Sequence, residues 1–347
     1  MKQSTEPFLR GLRLPVACLA VLAFSAAAVA VDMPTVVVGN PGNAPIVSGI
    51  QQFGSVAYTY RIGKYEVTAG QYTEFLNAVA RTDAYGLYNV NMDTAVDAQG
   101  CNILRSGTPG NYSYAIAPDW ANRPVNYVSW GDAARFANWM HNGQPATGVQ
   151  DATTTEGGSY PLNGATTNAA LYEVAREPSA TWVLPGRDEW YKAAYHKNDG
   201  VTGNYWLYPT SSDEMPGNLL GDPIDLGNTA TYYVYPDGYT IGSPYWRTEV
   251  GEHENSAGPY GTYDQCGNVA EWAEGRRMTI VGLARDFWGG TFNAVLPLRD
   301  WNPVERPTSE WATYGFRLAL VPEPGCVLLL VCGVGAWAVR SRRRVTR

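Results

Sequence analysis

The residues best suited to chemistry lie in one stretch, Tyr260–Trp272, where two acids flank a glycine–asparagine pair. Asp264 and Glu271 bracket Gly267-Asn268, and both residues of that pair readily adopt the positive φ angles of a tight turn. Such a turn can direct carboxylate and main-chain oxygens at one point, as a hard cation such as Ca²⁺ requires. The alternative interpretation is a hairpin whose Trp272 fills a core while its acids face water.

Other reactive side chains form no recognisable catalytic set in the sequence. The three histidines, His141, His196 and His253, stand far apart, and none has a partner at metal-ligand spacing. No serine–histidine–aspartate order, phosphate-binding loop or zinc spacing is present. We therefore interpret His141 as a helix-terminal residue.

The cysteines leave two alternatives open. Of five in the chain, one lies near the N-terminus and two near the C-terminus, so Cys101 and Cys266 are the two in the body. In an oxidising compartment they could form one disulfide, and they could equally remain two separately buried thiols.

Residues 1–30 have the pattern of a secretory signal. Three basic residues precede the apolar run Leu14–Ala28, and Ala28-Val29-Ala30 supplies the small-x-small pattern of a cleavage site. We expect the mature protein to begin near Val31, outside the cytoplasm.

The C-terminal residues 321–347 carry Pro322-Glu323-Pro324, an apolar run Gly325–Val339 and an arginine cluster. This run is short for a membrane crossing, but the arginines can hold it in a bilayer with the basic end inside. The order resembles the PEP-CTERM sorting tail of Gram-negative bacteria, which implies recognition by an exosortase. The alternative is a plain membrane anchor. Both place the body in the periplasm or on the cell surface. With the sorting tail, we expect the outer envelope, the cell surface or the extracellular matrix.

Charge excludes two classes of partner. Residues 1–30 hold three basic residues and one acid, and residues 321–347 hold five basic residues and one acid. The body therefore has a net charge of about −13. Binding of nucleic acid or anionic lipid requires clustered Lys and Arg, so neither is an expected partner.

The composition and local patterns predict an irregular, loop-rich α+β domain. Tyrosine and tryptophan are abundant, and 37 glycines with 23 prolines imply many turns. Helices are expected at Thr68–Ala80 and after Ser129, each from a capping residue followed by apolar residues at helical spacing. A third helix behind a short strand is expected within Trp182–Tyr195, with Asp188 and Glu189 in its first turn. A strand is expected at Thr35–Val38, a strand pair at Val56–Val67, and loops at 82–119 and 144–180.

Several blocks resemble the formylglycine-generating enzyme (sulfatase-modifying factor) family. They occur in the family's order and are Ile62–Asn77, Arg123–Trp139, Trp182–Tyr195, Tyr260–Trp272, Trp288–Asn293 and Gly315–Leu320. The resemblance implies a single domain over residues 31–320 with a compact variant of the C-type lectin fold.

The resemblance also implies metals. The family's oxidase holds copper between two cysteine thiolates that precede the Gly-Phe-Arg block, and Thr291–Tyr314 contains no cysteine here, so copper is not expected. The family's calcium site falls on the side chains of Asp264 and Glu271 and the carbonyls of Gly267 and Val269.

Two functions follow as hypotheses. The first is a non-catalytic binding or structural module whose aromatic-lined groove holds a peptide or a glycan. The second is a metal-dependent oxidoreductase, either formylglycine-generating or of a non-haem iron type. Candidate groove residues are Arg299, Asp300, Trp301 and Arg317, from their position near the family's active segment.

Overall fold

The computed structural model describes residues 30–49, 51–221, 227–280, 282–296 and 303–322. The signal predicted in residues 1–30 and the tail predicted in residues 321–347 therefore lie almost entirely outside the described residues. The helices are α1 (Ala69–Val79), α2 (Pro118–Ala121), α3 (Trp130–His141), α4 (Asn168–Glu173) and α5 (Arg187–Tyr195), with a 3-10 turn at Val90–Met92. The strands are β1 (Thr35–Val38), β2 (Ile46–Ser48), β3 (Gln51–Phe53), β4 (Tyr60–Gly63), β5 (Ile103–Ser106), β6 (Ser113–Ile116), β7 (Trp182–Val183), β8 (Tyr233–Val234), β9 (Gly238–Tyr239), β10 (Ala270–Thr279), β11 (Gly282–Trp288), β12 (Val304–Glu305), β13 (Tyr314–Gly315) and β14 (Ala319–Leu320).

Two four-stranded sheets organise the chain. In the first, the order is β1-β4-β14-β7 with antiparallel pairs throughout, so the first and last strands share β4 as a neighbour. In the second, β10 and β11 form a long antiparallel hairpin, β12 pairs with β11, and β13 runs parallel to β10. Strands β2–β3, β5–β6 and β8–β9 form separate two-stranded hairpins.

The predicted helices form where their capping residues place them. Thr68 and Gln71 make a reciprocal capping box at the start of α1, and Ser129 and Asp132 make another at the start of α3. Each pair satisfies amide groups that have no partner inside the helix. Gly186 precedes α5 as predicted, and there the Glu189 side chain accepts a hydrogen bond from the Gly186 amide.

An aromatic core joins the helices to the first sheet. The ring of Phe136 on α3 contacts Tyr72 and Phe75 of α1 at centroid distances of 6.1 and 5.2 Å. It also contacts Phe316, which lies between β13 and β14, at 5.4 Å. All four residues are fully buried, so the apolar faces read from helical spacing do face this core.

Three predictions about local structure are wrong. Residues 144–180 are not a simple surface loop, because Glu156 is buried and its carboxylate accepts from Arg135 Nε at 2.7 Å. Helix α4 also lies in this region. Residues 82–119 contain the hairpin β5–β6, and Val56–Val67 contains the single strand β4 rather than a strand pair. The alternation in Val56–Val67 forms one strand whose partners, β1 and β14, lie elsewhere in the sequence.

Short helices, small sheets and long connections confirm the predicted irregular α+β class. Within the described ranges, no helix combines the length and the apolar character needed to span a membrane. The apolar run Gly325–Val339 lies outside those ranges.

Candidate functional site

The turn that leads into β10 has an unusual backbone. Asp264, Gly267 and Asn268 have φ angles of 60°, 92° and 56°. A Cβ atom on Gly267 would lie 2.1 Å from the carbonyl oxygen of Thr231, so glycine is required there. The Gly267 amide donates to the Gly289 carbonyl at 2.6 Å, and the Asn268 amide donates to the Thr231 carbonyl at 2.7 Å. The turn is therefore held by distant segments.

Glu271 forms a fully buried ion pair with Arg317. Arg317 Nη2 and Nε lie 2.6 Å from Glu271 Oε1 and Oε2, and both side chains are completely inaccessible to solvent. Trp190 Nε1 donates to Oε2 at 2.6 Å. Arg317 also donates to the carbonyls of Gly63 and Tyr263, at 3.0 and 2.8 Å. This two-pronged geometry joins β10, the segment before β14 and α5 around one carboxylate.

Two more acids lie near this pair. Asp264 Oδ2 accepts from the Gly251 amide at 2.6 Å. The buried carboxylate of Glu66 accepts from Asn268 Nδ2 at 3.2 Å and from the Val269 amide at 3.3 Å. The acid cluster, defined as Glu66, Asp264 and Glu271, therefore surrounds the turn, and Arg317 forms the ion pair with one of its members.

The electrostatics of the acid cluster reflect this imbalance. Burial raises the pKa of Asp264 to about 6. The hydrogen bond from the Gly251 amide lowers this pKa, whereas the negative charge of Glu271 raises it. Burial, followed by Asp264 and Glu271, raises the pKa of Glu66 well above its usual range. Burial alone would lower the pKa of Arg317, but its ion pair with Glu271 raises the pKa above the usual value. Removing charged groups from water disfavours their charged forms.

The donor set fits a hard cation. Its carboxylates outnumber the guanidinium that is ion-paired with them, and a divalent ion would offset this excess of negative charge. The buried Oδ1 of Asn268 has no hydrogen-bond partner, so this turn contains an unsatisfied oxygen. Among the described residues, no three His, Cys, Asp or Glu side chains converge as metal ligands. An ion here would therefore depend on main-chain carbonyls, as the predicted set with Gly267 and Val269 does.

Glu66 connects the acid cluster to a cavity of about 450 Å³. Its polar lining includes Asp32, Thr68, Gln71 and Glu249, and no Lys or Arg is among the described residues that line it. The carboxylates and hydrogen-bonding groups of this lining favour cations over anions in the cavity.

The remaining candidate residues lie apart. Cys101 and Cys266 are free, buried thiols, so the separate-thiol alternative describes them. His141 ends α3 as predicted, and its Nδ1 lies 2.7 Å from Thr181 Oγ1. His196 contacts Tyr260, and His253 contacts Thr231, so neither shares a site with another histidine.

One of the four candidate groove residues needs correction. Arg317 does not line a groove, because its guanidinium is buried against Glu271. Arg299, Asp300 and Trp301 lie outside the described residues.

Sequence reasoning missed two members of the site. Glu66 is an acid between the apolar positions Ile62 and Val67, and this interruption of a buried block was an available signal. Trp190 lies on α5 and gave no local signal, since its bond to Glu271 joins segments 81 residues apart.

Comparison with known proteins identifies what the chain is similar to. The family described as "Sulfatase-modifying factor enzyme 1-like domain" matches residues 31–321. No curated protein matches the chain.

Several solved structures are similar to the chain. CarF matches with a TM-score of 0.54 and 20% identity, over 84% of this chain and 99% of CarF. Variable protein 1 of Treponema denticola matches with a TM-score of 0.52 and 18% identity, over 85% of this chain and 98% of that protein. PvdO from Pseudomonas aeruginosa has a TM-score of 0.43 at 17% identity, over 84% and 92%. At these identities, the first two show a shared fold.

Proposed function

Because the chain belongs to the sulfatase-modifying factor enzyme 1-like family, we propose that it is an exported member of that family that acts as a non-catalytic binding or structural module. The observation that carries this proposal is the absence of cysteine from Thr291–Tyr314. The resemblance implies that two thiolates from this interval hold the copper of the oxidase. Soft thiolates are what Cu(I) requires, and Asn, Leu and Pro in this interval cannot replace them.

The two cysteines of the body are poor substitutes. Burial raises the pKa of both Cys101 and Cys266, so each thiol stays protonated at neutral pH. The thiolate is the form that binds metal. Cys101 also lies in the main core, whereas Cys266 packs in a small separate cluster with Ala230 and Tyr232.

A structural Ca²⁺ is part of the same proposal. Asp264 and Glu271 would hold it through carboxylate oxygens, and Gly267 and Val269 through main-chain carbonyls. The ion would offset the negative charge of the acid cluster and fix a turn with little regular hydrogen bonding. Glu271 would serve the ion and Arg317 together, because its Oε1 accepts a single hydrogen bond in the described structure.

The ends of the chain support a location in the outer envelope, at the cell surface or in the extracellular matrix. A signal in residues 1–30 would export the protein, and an exosortase would act on residues 321–347. A peptide or a glycan is the proposed ligand, since aromatic side chains suit both. The net negative charge of the body disfavours nucleic acid. Fractionation of the producing cells checks the location: cytoplasmic recovery would contradict it.

Metal analysis joined to an activity assay tests the proposal. We expect the purified protein to contain about one equivalent of calcium and no stoichiometric copper or iron. After incubation with Cu(I), a sulfatase-derived peptide should show no conversion of its cysteine to formylglycine by mass spectrometry. Stoichiometric iron or copper, or measurable conversion, would instead favour the metal-dependent oxidoreductase.

A further inference from the structure

Four aromatic rings lie on and beside the hairpin β8–β9, outside the acid cluster itself. The rings of Tyr233 and Tyr239, paired across the hairpin β8–β9, are 5.1 Å apart between centroids. The ring of Trp246 is 5.0 Å from that of Tyr239. Tyr235, in the connection between the strands, is 81% exposed, and Tyr239 is 40% exposed. We call these four residues the aromatic face. Tyr233 and Trp246 are partly buried, so Tyr235 and Tyr239 carry most of the exposed ring surface that a partner could contact.

Trp246 has a backbone conformation that tryptophan rarely adopts, and contacts with distant residues fix it. Its φ angle is 61°, which a bulky side chain rarely adopts. Its Nε1 donates to the Ala98 carbonyl at 3.0 Å. The next residue, Arg247, is buried and donates to the carbonyls of Gln99 and Gly100, at 2.8 and 2.9 Å. Residues held in unfavourable backbone conformations by their surroundings are concentrated at functional sites.

The chain segment that carries the aromatic face is rich in acids. Residues 198–246 contain six acids and no Lys, Arg or His. Asp237 is exposed in the connection between β8 and β9. Glu214 belongs to a segment that joins this hairpin, since Asn218 Nδ2 donates to the Gly238 carbonyl at 3.1 Å. The nearest basic residue in sequence, Arg247, is fully buried. Asp213 is paired with Lys197, so the exposed carboxylates of Asp237 and Glu214 are those that favour a cationic partner at this hairpin.

We infer that the aromatic face binds an extended protein segment that carries arginine or lysine side chains. Cationic side chains stack on the faces of tyrosine and tryptophan rings, and nearby carboxylates strengthen this attraction. An extended segment places alternate side chains on one side, which suits a row of rings along a hairpin. The inference rests on the proposed binding module and names its partner class; a neutral glycan would use the rings but not the acids.

Calorimetric titration of the purified protein with three probes tests the inference. The probes are a synthetic peptide alternating arginine with serine, the same peptide with glutamine for arginine, and a soluble neutral oligosaccharide. We expect the arginine peptide to bind most tightly, and we expect its affinity to fall as the salt concentration rises. Tyr235→Ala should weaken its binding roughly two- to fivefold. Asp237→Asn should weaken it as well, whereas Tyr235→Phe, which keeps the ring, should bind like the wild type.

The outcomes separate this inference from the proposed function. Unchanged peptide binding in Tyr235→Ala would overturn the inference, because it would reflect attraction to the acidic body as a whole. Tighter binding of the oligosaccharide would also overturn it, yet would leave a binding module in place. Failure of all three probes together with formylglycine formation would overturn both.

Discussion

At the residue scale, Glu271 and Arg317 depend on each other because neither side chain reaches water. In Glu271→Gln, the volume is kept but the buried guanidinium loses its counter-charge. Breaking one side of a buried pair typically costs about 3–5 kcal/mol. We expect a loss of this size in the free energy of unfolding, measured by urea denaturation in the presence of a chelator.

An exposed pair provides the control for that variant. Lys197 Nζ lies 3.0 Å from Asp213 Oδ2, and the two side chains are 28% and 49% exposed. Asp213→Asn should change the free energy of unfolding by less than about 1 kcal/mol, because water and salt screen exposed pairs. Equal losses in the two variants would contradict the central role given to Glu271.

Gly267 is the second residue whose replacement has a predictable cost. Alanine there would place a Cβ 2.1 Å from the Thr231 carbonyl oxygen and would also occupy a left-handed conformation. Gly282 has a nearly equal φ of 96° with open space around it. Gly282→Ala should therefore cost about 1–2 kcal/mol from backbone conformation alone.

Gly267→Ala should lower the free energy of unfolding further, since the backbone around Thr231 must move. Urea denaturation of the two variants side by side measures the difference. If Gly267→Ala were no worse than Gly282→Ala, the close approach of Thr231 would not constrain the turn.

At the scale of elements, the helices could be predicted because their determinants are local. Thr68 with Gln71, and Ser129 with Asp132, lie three residues apart, and each pair forms the bonds that its spacing predicts. The region 144–180 could not be predicted in this way. Its buried Glu156 is explained by Arg135, which lies 21 residues earlier, so local composition misleadingly suggests a loop.

The segment 303–314 is an element whose attachment should depend on pH. It is held near the start of α3, where the Trp130 amide donates to the Pro307 carbonyl at 3.1 Å. The carboxylate of Glu310, in the same segment, accepts a hydrogen bond from the side-chain amide of Asn89. Burial and then the nearby Asp132 raise the pKa of Glu310 from 4.5 to about 8, and Asp83 adds to the shift.

The sign of the pH effect follows from this shift. The folded protein holds the Glu310 proton more tightly than the unfolded chain does. Protonation of Glu310 therefore contributes fully to the stability of the fold below pH 4.5, and this contribution is lost as the pH rises through about 8. Asp132, with a pKa raised to about 6 chiefly by burial, acts in the same direction at lower pH. Wild-type protein should therefore lose stability between pH 6 and 8, and Glu310→Gln should lose less.

Urea denaturation at a series of pH values across this interval checks the prediction. Glu254→Gln, which changes an exposed carboxyl, is the control and should follow the wild-type profile. A Glu310→Gln profile parallel to the wild type would mean that Glu310 does not retain its proton in the folded protein.

At the scale of the whole molecule, the acid cluster is where sequence reasoning reached its limit. The stretch around Gly267 marked Asp264 and Glu271 as neighbours, because the spacing within one turn determines their proximity. The third acid, Glu66, lies more than 200 residues away in sequence and meets the turn through Asn268 and Val269. No local pattern encodes such a contact; it exists because the complete fold brings the segment after β4 to the turn before β10.

Calcium should stabilise the whole molecule through this cluster. A ligand that binds only the folded state increases the free energy of unfolding. At a Ca²⁺ concentration one hundred times the dissociation constant, the increase is about 2.7 kcal/mol. We expect thermal unfolding of the wild type to shift upward with Ca²⁺ and back with a chelator. Mg²⁺ should be less effective, since it demands a stricter octahedral geometry.

Calcium should reverse the order of stability of Asp264→Asn and the wild type. Without calcium, the variant removes one of three crowded carboxylates, so it should be at least as stable as the wild type. With calcium, only the wild type should gain stability, since asparagine supplies a weaker, uncharged ligand. Asp213→Asn, which removes an exposed acid, should respond to calcium like the wild type. An Asp264→Asn protein that gained as much stability as the wild type would place the ion elsewhere.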